Sequence, residues 1–324
     1  MIEAYAKKSF VALKDPYATV TEVWPGIIDE VNAAVKSWGH AYYTGYKETK
    51  VIPESLIHKL HRYGFLRHTK DRMALGGRAV DLRLINPLTG RWMSGSSSGT
   101  ALNVFYGIND LGVGTDGGGS VLAPAAALNL YGFISPLIEA DYVKQFEKKS
   151  TDKISFTPSI GFITRDLKTL EAAVRAGTAL FEKAAESPNG ETVFADIAET
   201  VDIYGSREDL IPYVRSVVKE GIVLVSREGP VDLHGMGDSV FGHFDEETGK
   251  QQRLSGKGLM RVANMCGLTA LTVPAGGLGT CCVYLCDSNP RDIRAVFDRA
   301  GETCVLASEL VKRYFLNLDM YFNS

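Results

Sequence analysis

What this sequence has little of narrows it first. None of its apolar runs approaches the ~20 residues that a transmembrane helix needs. The opening residues, Met1-Ile2-Glu3-Ala4-Tyr5-Ala6-Lys7-Lys8, lack the apolar stretch of a secretory signal, so a cytoplasmic location is expected. Charge of one sign is not in excess either: 35 Lys and Arg face 38 Asp and Glu, a net charge of −3. With its bases scattered, the chain offers no electrostatic footing for nucleic acid. Five cysteines in 324 residues make no disulfide framework. Cys281, Cys282 and Cys286 lie close together, but no second pair at zinc-site spacing accompanies them. The segment Thr280-Cys281-Cys282-Val283-Tyr284-Leu285 reads instead as a buried strand, and no metal is expected. The six histidines (His40, His58, His61, His68, His234, His243) have no telling spacing.

What is present suits one large α/β domain over residues 1–324. Hydrophobic residues make up 45% of the chain, helical and strand patterns interleave, and no internal repeat or clear linker divides it. Ser9-Phe10-Val11-Ala12-Leu13 reads as a short buried strand ending at Lys14-Asp15. A helix follows Pro25 and stops at Gly39, and a second runs from about Pro53 to Gly64. Residues 76–100 read as loop, and residues 244–252 as a polar surface loop. Helices are expected at 101–108, 120–131, 166–185, from Ser206 with Asp209 in a capping-box-like start, and after Asn289 and Thr303. Ile222–Val225, Ala270–Val273 and Cys281–Leu285 read as strands.

Two clusters interrupt this pattern with hydroxyls set between glycines: Ser94-Gly95-Ser96-Ser97-Ser98-Gly99-Thr100 and Gly114-Thr115-Asp116-Gly117-Gly118-Gly119-Ser120. A glycine-rich turn running into a helix start presents several N–H groups to one point, which suits a phosphate or the oxyanion of an attacked carbonyl. Ser120 stands at the edge of that point. A serine needs a base to become a nucleophile. A buried lysine can serve, because desolvation lowers its pKa, and an intervening hydroxyl can both donate and accept. Ser96 or Ser97 is a candidate for that relay, and Lys14, at the end of its expected strand, for the base. Two rival motifs overlap the clusters. Gly95-Ser96-Ser97-Ser98-Gly99 matches the nucleophile elbow G-x-S-x-G, with Ser97 attacking and Asp238 and His243 as partners, although Arg91-Trp92-Met93 is a poor strand to precede it. Gly112-Val113-Gly114-Thr115-Asp116-Gly117 matches G-x-G-x-x-G, but Asn109-Asp110-Leu111 is not the strand a dinucleotide site requires.

Taken together the two clusters resemble the serine boxes of the amidase signature family, Gly-Gly-Ser-Ser-Gly-Gly-Ser and Gly-Thr-Asp-x-Gly-Gly-Ser…Pro-Ala. Pro124-Ala125 follows the second, and Ser96 and Ser120 are 24 residues apart. Val11-Ala12-Leu13-Lys14-Asp15 resembles the family's Val-Lys-Asp motif, Asn86-Pro87 its Asn-Pro, and residues 264–276 its C-terminal Pro-Ala-rich stretch. The resemblance implies a mixed central β-sheet covered by helices and an amide hydrolase that needs no cofactor. It implies Ser120 as nucleophile, Ser96 as a relay behind a cis Gly95–Ser96 bond, and Lys14 as general base. The N–H groups of Gly117, Gly118 and Gly119 would form the oxyanion hole, with Ser97, Thr115 and Asp116 as supports. Its expected partner is a small-molecule amide, and a homo-oligomer is left open. An ammonia-transferring subunit, an esterase on the same site and a catalytically silent binding subunit remain alternatives. The chain departs from the family in Leu122 where many members carry arginine, in Ser98 for a glycine, in Leu130-Tyr131-Gly132-Phe133-Ile134-Ser135, and in a short stretch before Lys14 in place of the usual helical extension.

Overall fold

The computed structural model describes residues 2–178, 191–302 and 308–322. Among these residues fourteen strands appear in chain order: β1 (Val20–Val23), β2 (Tyr42–Lys47), β3 (Phe65–Asp71), β4 (Val80–Ile85), β5 (Trp92–Ser94), β6 (Leu111–Asp116), β7 (Tyr131–Ser135), β8 (Lys148–Lys149), β9 (Ser155–Phe156), β10 (Ser159–Thr164), β11 (Val193–Asp196), β12 (Ile222–Glu228), β13 (Thr269–Pro274) and β14 (Cys281–Cys286). Ten of them form one mixed sheet in the order β1-β3-β2-β6-β10-β7-β13-β14-β12-β11. β2 runs parallel to β3 and β6, and β12 parallel to β11, while the other neighbours are antiparallel.

Both faces of this sheet are buried, and the alternation of side chains shows it. Phe133, Phe162, Val223, Leu271 and Tyr284 join one apolar cluster. Their chain neighbours Ile134, Ile163, Leu224, Ala270 and Leu285 join another on the opposite face. Period-2 side-chain direction with apolar residues on both sides is the signature of a sheet covered on both faces. On the first face lie α3 (Glu54–His61) and the helix Leu167–Thr178. On the other lie α4 (Ser98–Phe105) and α5 (Leu122–Ala127), in which every residue is buried. A helix with no polar face has to sit inside the molecule, so the segments that follow the two serine clusters are the core of the domain.

The elements with strong local signals stand where the sequence places them. α2 (Ile27–Trp38) buries Ile27, Val31 and Ala34 and ends at Gly39, whose φ of 76° and N–H bond to Val35 O close the last turn. The helix Arg207–Val217 starts at Ser206, whose hydroxyl accepts from Asp209 N. β12, β13 and β14 hold the expected strands. The helix expected to end near Ala185 is seen as Leu167–Thr178, its remainder lying outside the described residues, as does Thr303.

Four expectations are corrected. Residues 9–13 are part of a helix, α1 (Ile2–Lys14): Val11 and Ala12 are buried while Phe10 and Leu13 are exposed, which is helical rather than alternating burial. Residues 76–100 contain the β4–β5 hairpin, paired antiparallel from Val80↔Ser94, so Trp92 does open a short strand. Residues 244–252 are largely an exposed helix, Glu246–Arg253, started by a capping box in which Asp245 and Thr248 bond reciprocally. Residues 120–131 make only the short α5 before β7 begins.

Candidate active site

Parallel pairing of β2 and β6 builds the site. Their register runs Thr44↔Leu111, Gly45↔Gly112 and Tyr46↔Val113, so the next residues, Lys47 and Gly114-Thr115-Asp116, emerge together at the same C-terminal edge. In open α/β sheets this edge is where ligands bind. Lys47 is 4% exposed. Its Nζ lies 2.7 Å from Ser96 Oγ, 2.9 Å from Thr115 Oγ1 and 3.4 Å from Thr115 O. Burial pushes its amine down to about 7, against the pull of the nearby Asp116 and with help from the Lys148 charge. An amine held near neutrality is poised to gain and lose a proton.

Glycines lock the two serine clusters against each other. Gly95, at φ 73°, has no room for a side chain, because a Cβ there would stand 2.4 Å from Pro124 Cδ. At Gly114 a Cβ would meet Ser97 Oγ at 2.7 Å. The turn of the second cluster is organised by Asp116, which is 1% exposed. Its Oδ1 accepts from Gly118 N and Gly119 N, at 3.0 and 2.7 Å, and its Oδ2 from Val121 N and Leu122 N, at 2.6 and 3.3 Å. Four N–H donors on one carboxylate satisfy its charge without a counter-ion. They also fix the start of α5, and with it Ser120, which is half-buried. Among the described residues the Ser120 hydroxyl makes no hydrogen bond and faces a cavity of about 380 Å³. Ser96, Lys47, Thr115, Asp116, Gly117 and Gly118 line the same cavity.

The structure therefore brings together Ser96, Ser97, Thr115, Asp116, Gly117, Gly118, Gly119 and Ser120, but not Lys14. Lys14 ends α1 on the outside of the molecule, its Nζ 5.1 Å from the Phe10 ring centre. The Asp15 carboxylate beside it accepts from Thr19 N and Val20 N instead of facing the cavity. The place given to Lys14 is filled by Lys47. A signal for it was in the chain: Tyr42-Tyr43-Thr44-Gly45-Tyr46 is an aromatic-rich strand pattern ending in a lysine, bounded by Gly39 and Pro53. Gly118 N and Gly119 N already donate to Asp116 Oδ1, whereas the amides of Gly117 and Ser120 have no acceptor among the described residues. The Gly95–Ser96 bond is trans, the single cis bond among the described residues being Gly229–Pro230.

Neither rival motif assembles. Ser97 is fully buried, its N–H bonded to Ser120 O and its hydroxyl to Thr115 O. Asp238 is engaged by Arg78 through Nε and Nη2, at 3.0 and 2.8 Å, and the exposed His243 bonds Ser239 O. Gly112 and Gly114 lie inside β6, paired with Ile163 and Gly161, so no phosphate-binding loop forms there. Ser98, where the resemblance expects glycine, donates to the buried Asp81 at 2.9 Å.

Known proteins share this fold and part of this sequence. A family model described as Amidase matches residues 83–188, which include both serine clusters. Amidase 1 of Oryza sativa subsp. japonica is 31% identical over 122 residues, 37% of this chain and 26% of that protein, so the matched stretch spans about a quarter of the curated relative's length. A bacterial aryl acylamidase superposes with a TM-score of 0.60 at 14% identity, over 97% of this chain and 94% of that one. The peptide amidase of Stenotrophomonas maltophilia does so with a TM-score of 0.56 at 14% identity, over 93% of each chain. These likenesses establish a shared fold. No helix among the described residues is long and apolar enough to cross a membrane.

Proposed function

We propose that the chain is an amidase-signature enzyme that hydrolyses the carbon–nitrogen bond of a small amide through Ser120, Ser96 and Lys47, a reading supported by the Amidase family model over residues 83–188 and by the fold shared with solved amidases. The observation that carries this reading is the buried Lys47 amine 2.7 Å from Ser96 Oγ, in the cavity that Ser120 faces. The amide carbonyl docks with its oxygen toward the Gly117 and Ser120 N–H groups. Neutral Lys47 takes the Ser96 proton as Ser96 takes that of Ser120, and Ser120 Oγ bonds to the carbonyl carbon. The proton then returns along the same path to the leaving nitrogen, the carbon–nitrogen bond breaks, and ammonia or an amine departs. Water, deprotonated by the same relay, cleaves the acyl-enzyme and regenerates Ser120. Thr115 holds the Lys47 amine in line, and Asp116 holds the turn whose remaining amides face the oxyanion.

A fluorophosphonate probe tests the assignment of the nucleophile. Mass spectrometry of the labelled wild type should place the adduct on Ser120. Ser120→Ala should lose both the label and ammonia release, and Ser97→Ala should keep both. A label on Ser97, or full turnover by Ser120→Ala, overturns the reading.

A further inference from the structure

The wall of the cavity beside the Gly117–Ser120 turn carries more positive charge than its carboxylates offset. Arg207 opens the helix Arg207–Val217 and is 8% exposed. Its Nη1 bonds Asp152, at 3.0 and 3.4 Å from the two oxygens. Its Nη2 has no partner among the described hydrogen bonds and points back to the catalytic turn: a Cβ placed on Gly118 would lie 3.8 Å from it. Behind it is a second buried guanidinium, Arg261, which among the described residues donates to the carbonyl oxygens of Gly258, Ile203 and Gly205 and makes no ion pair. At the rim, Lys148 and Lys149 of the β8–β9 hairpin line the same cavity, and no carboxylate pairs with either among the described residues. The acidic side chains available do not balance this. Asp116 is satisfied by four backbone amides, and Asp238 is committed to Arg78.

From this geometry we infer that the amide substrate carries a carboxylate, bound by Arg207 beside the oxyanion turn, so that the enzyme's substrates are short acidic amides. The reaction assumed rests on the amide-hydrolase reading; the anion site rests on Arg207 and its surroundings. The guanidinium stands close to the turn, which sets the carboxylate only a few bonds from the scissile carbonyl. Asp152 shares Arg207, and that neighbouring charge favours a carboxylate, which brings one negative charge to the contact, over a phosphate dianion. The hairpin lysines are too exposed to fix the ligand; they raise its local concentration at the mouth.

The test compares acids with their neutral counterparts: succinamate against butyramide, and glutaramate against valeramide, with ammonia release as readout. The wild type should favour the better acid over its counterpart by roughly 100-fold in kcat/KM. Arg207→Gln should lower kcat/KM for the acid by about that factor, mainly through KM, while changing the neutral amide less than about threefold. Arg207→Lys should fall between, which separates lost charge from lost folding. Lys149→Gln should raise KM for the acid a few-fold, an effect that fades at high salt.

Calorimetry supplies a readout that needs no turnover. Succinate should bind the wild type and Ser120→Ala, but not Arg207→Gln. Equal hydrolysis of acids and neutral amides, equal loss of both in a folded Arg207→Gln, or inorganic phosphate displacing succinate at matched concentration overturns the inference. Succinate binding through Arg207 without hydrolysis of any amide supports the anion site and instead defeats the amide-hydrolase reading.

Discussion

Two places in this chain end an apolar run with a lysine, and the structure gives them opposite fates. At residues 10–14 the run belongs to α1, and a helix sends only part of each turn inward, so Lys14 reaches water. At residues 42–47 the run belongs to a strand in the interior of a ten-stranded sheet, and Lys47 is carried inside with it, 4% exposed. The lysine side chain is the same in both. Only the second loses its hydration, and only the second has a hydroxyl partner at 2.7 Å. Basicity is thus assigned by the backbone that carries the residue: the strand edge where β2 and β6 run parallel is what turns an ordinary ammonium into a proton acceptor near neutral pH.

The most direct way to break this contrast is to remove each amine. Lys47→Ala should cut kcat/KM by about four orders of magnitude, since it takes away the only base in reach of Ser96 among the described residues. Lys14→Ala should leave it within about twofold. A substantial loss in Lys14→Ala would mean that α1 is not where the proton chemistry is excluded. The pH profile sharpens the same point. With the Lys47 amine held near 7, and the neutral form required, kcat/KM for an uncharged amide should rise with pH and level off above about 7. An activity limb near the ordinary lysine value would place the base on an exposed residue.

A smaller effect is expected from the carboxylate that ties the second cluster together. Asp116→Asn keeps the shape but turns one acceptor oxygen into a donor, facing two backbone N–H groups that lose their partner. Each orphaned buried donor costs ~1–3 kcal/mol, so urea unfolding should show a stability loss in that range or above it. Turnover should fall by roughly 100-fold as the amides of the turn lose alignment. Unchanged turnover with lowered stability would show that Asp116 supports only the fold.

The comparison also explains what the sequence could and could not reveal. The serine clusters were legible because close packing demands small residues at fixed places: Gly95 against Pro124 and Gly114 against Ser97 tolerate no Cβ. Helix ends written in local chemistry, Gly39 and Ser206, were legible for the same reason, as were the apolar strands β13 and β14. The lysine was not, because its role is decided by a neighbour 49 residues away, Ser96, and by pairing with β6, neither of which leaves a mark on the local pattern. Leu13-Lys14-Asp15 has the motif-like pattern yet ends a helix, while Tyr46-Lys47-Glu48 lacks it and supplies the buried amine. The β4–β5 hairpin does carry a strand signal, the alternation Val80-Asp81-Leu82-Arg83-Leu84, but Gly76, Gly77 and Gly90 around it and a β5 of only three residues give the segment the look of a loop. That Asp116 engages the amides of Gly118 and Gly119 was not legible either, because sequence shows that donors exist, not which acceptor claims them.

The last consequence of burying Lys47 is energetic. Its folded pKa of about 7 lies below the ordinary 10.5, so between those values the unfolded chain binds more protons than the folded one. The penalty of the buried charge is therefore full below pH 7 and fades as pH rises toward 10.5. Lys47→Met keeps the length and apolar character of the side chain and removes the charge, leaving the Ser96 and Thr115 hydroxyls to lose one partner each. The gain should exceed that loss at acidic pH, giving a variant ~1–3 kcal/mol more stable than the wild type at pH 6 and inactive. Urea unfolding at pH 6 and pH 9 measures it, and the advantage should shrink at the higher pH. Lys14→Met, on the exposed end of α1, should shift neither midpoint by more than ~0.5 kcal/mol. Equal behaviour of the two methionine variants would mean that burial imposes no charge penalty at Lys47, and the physical distinction between the two lysines would be gone.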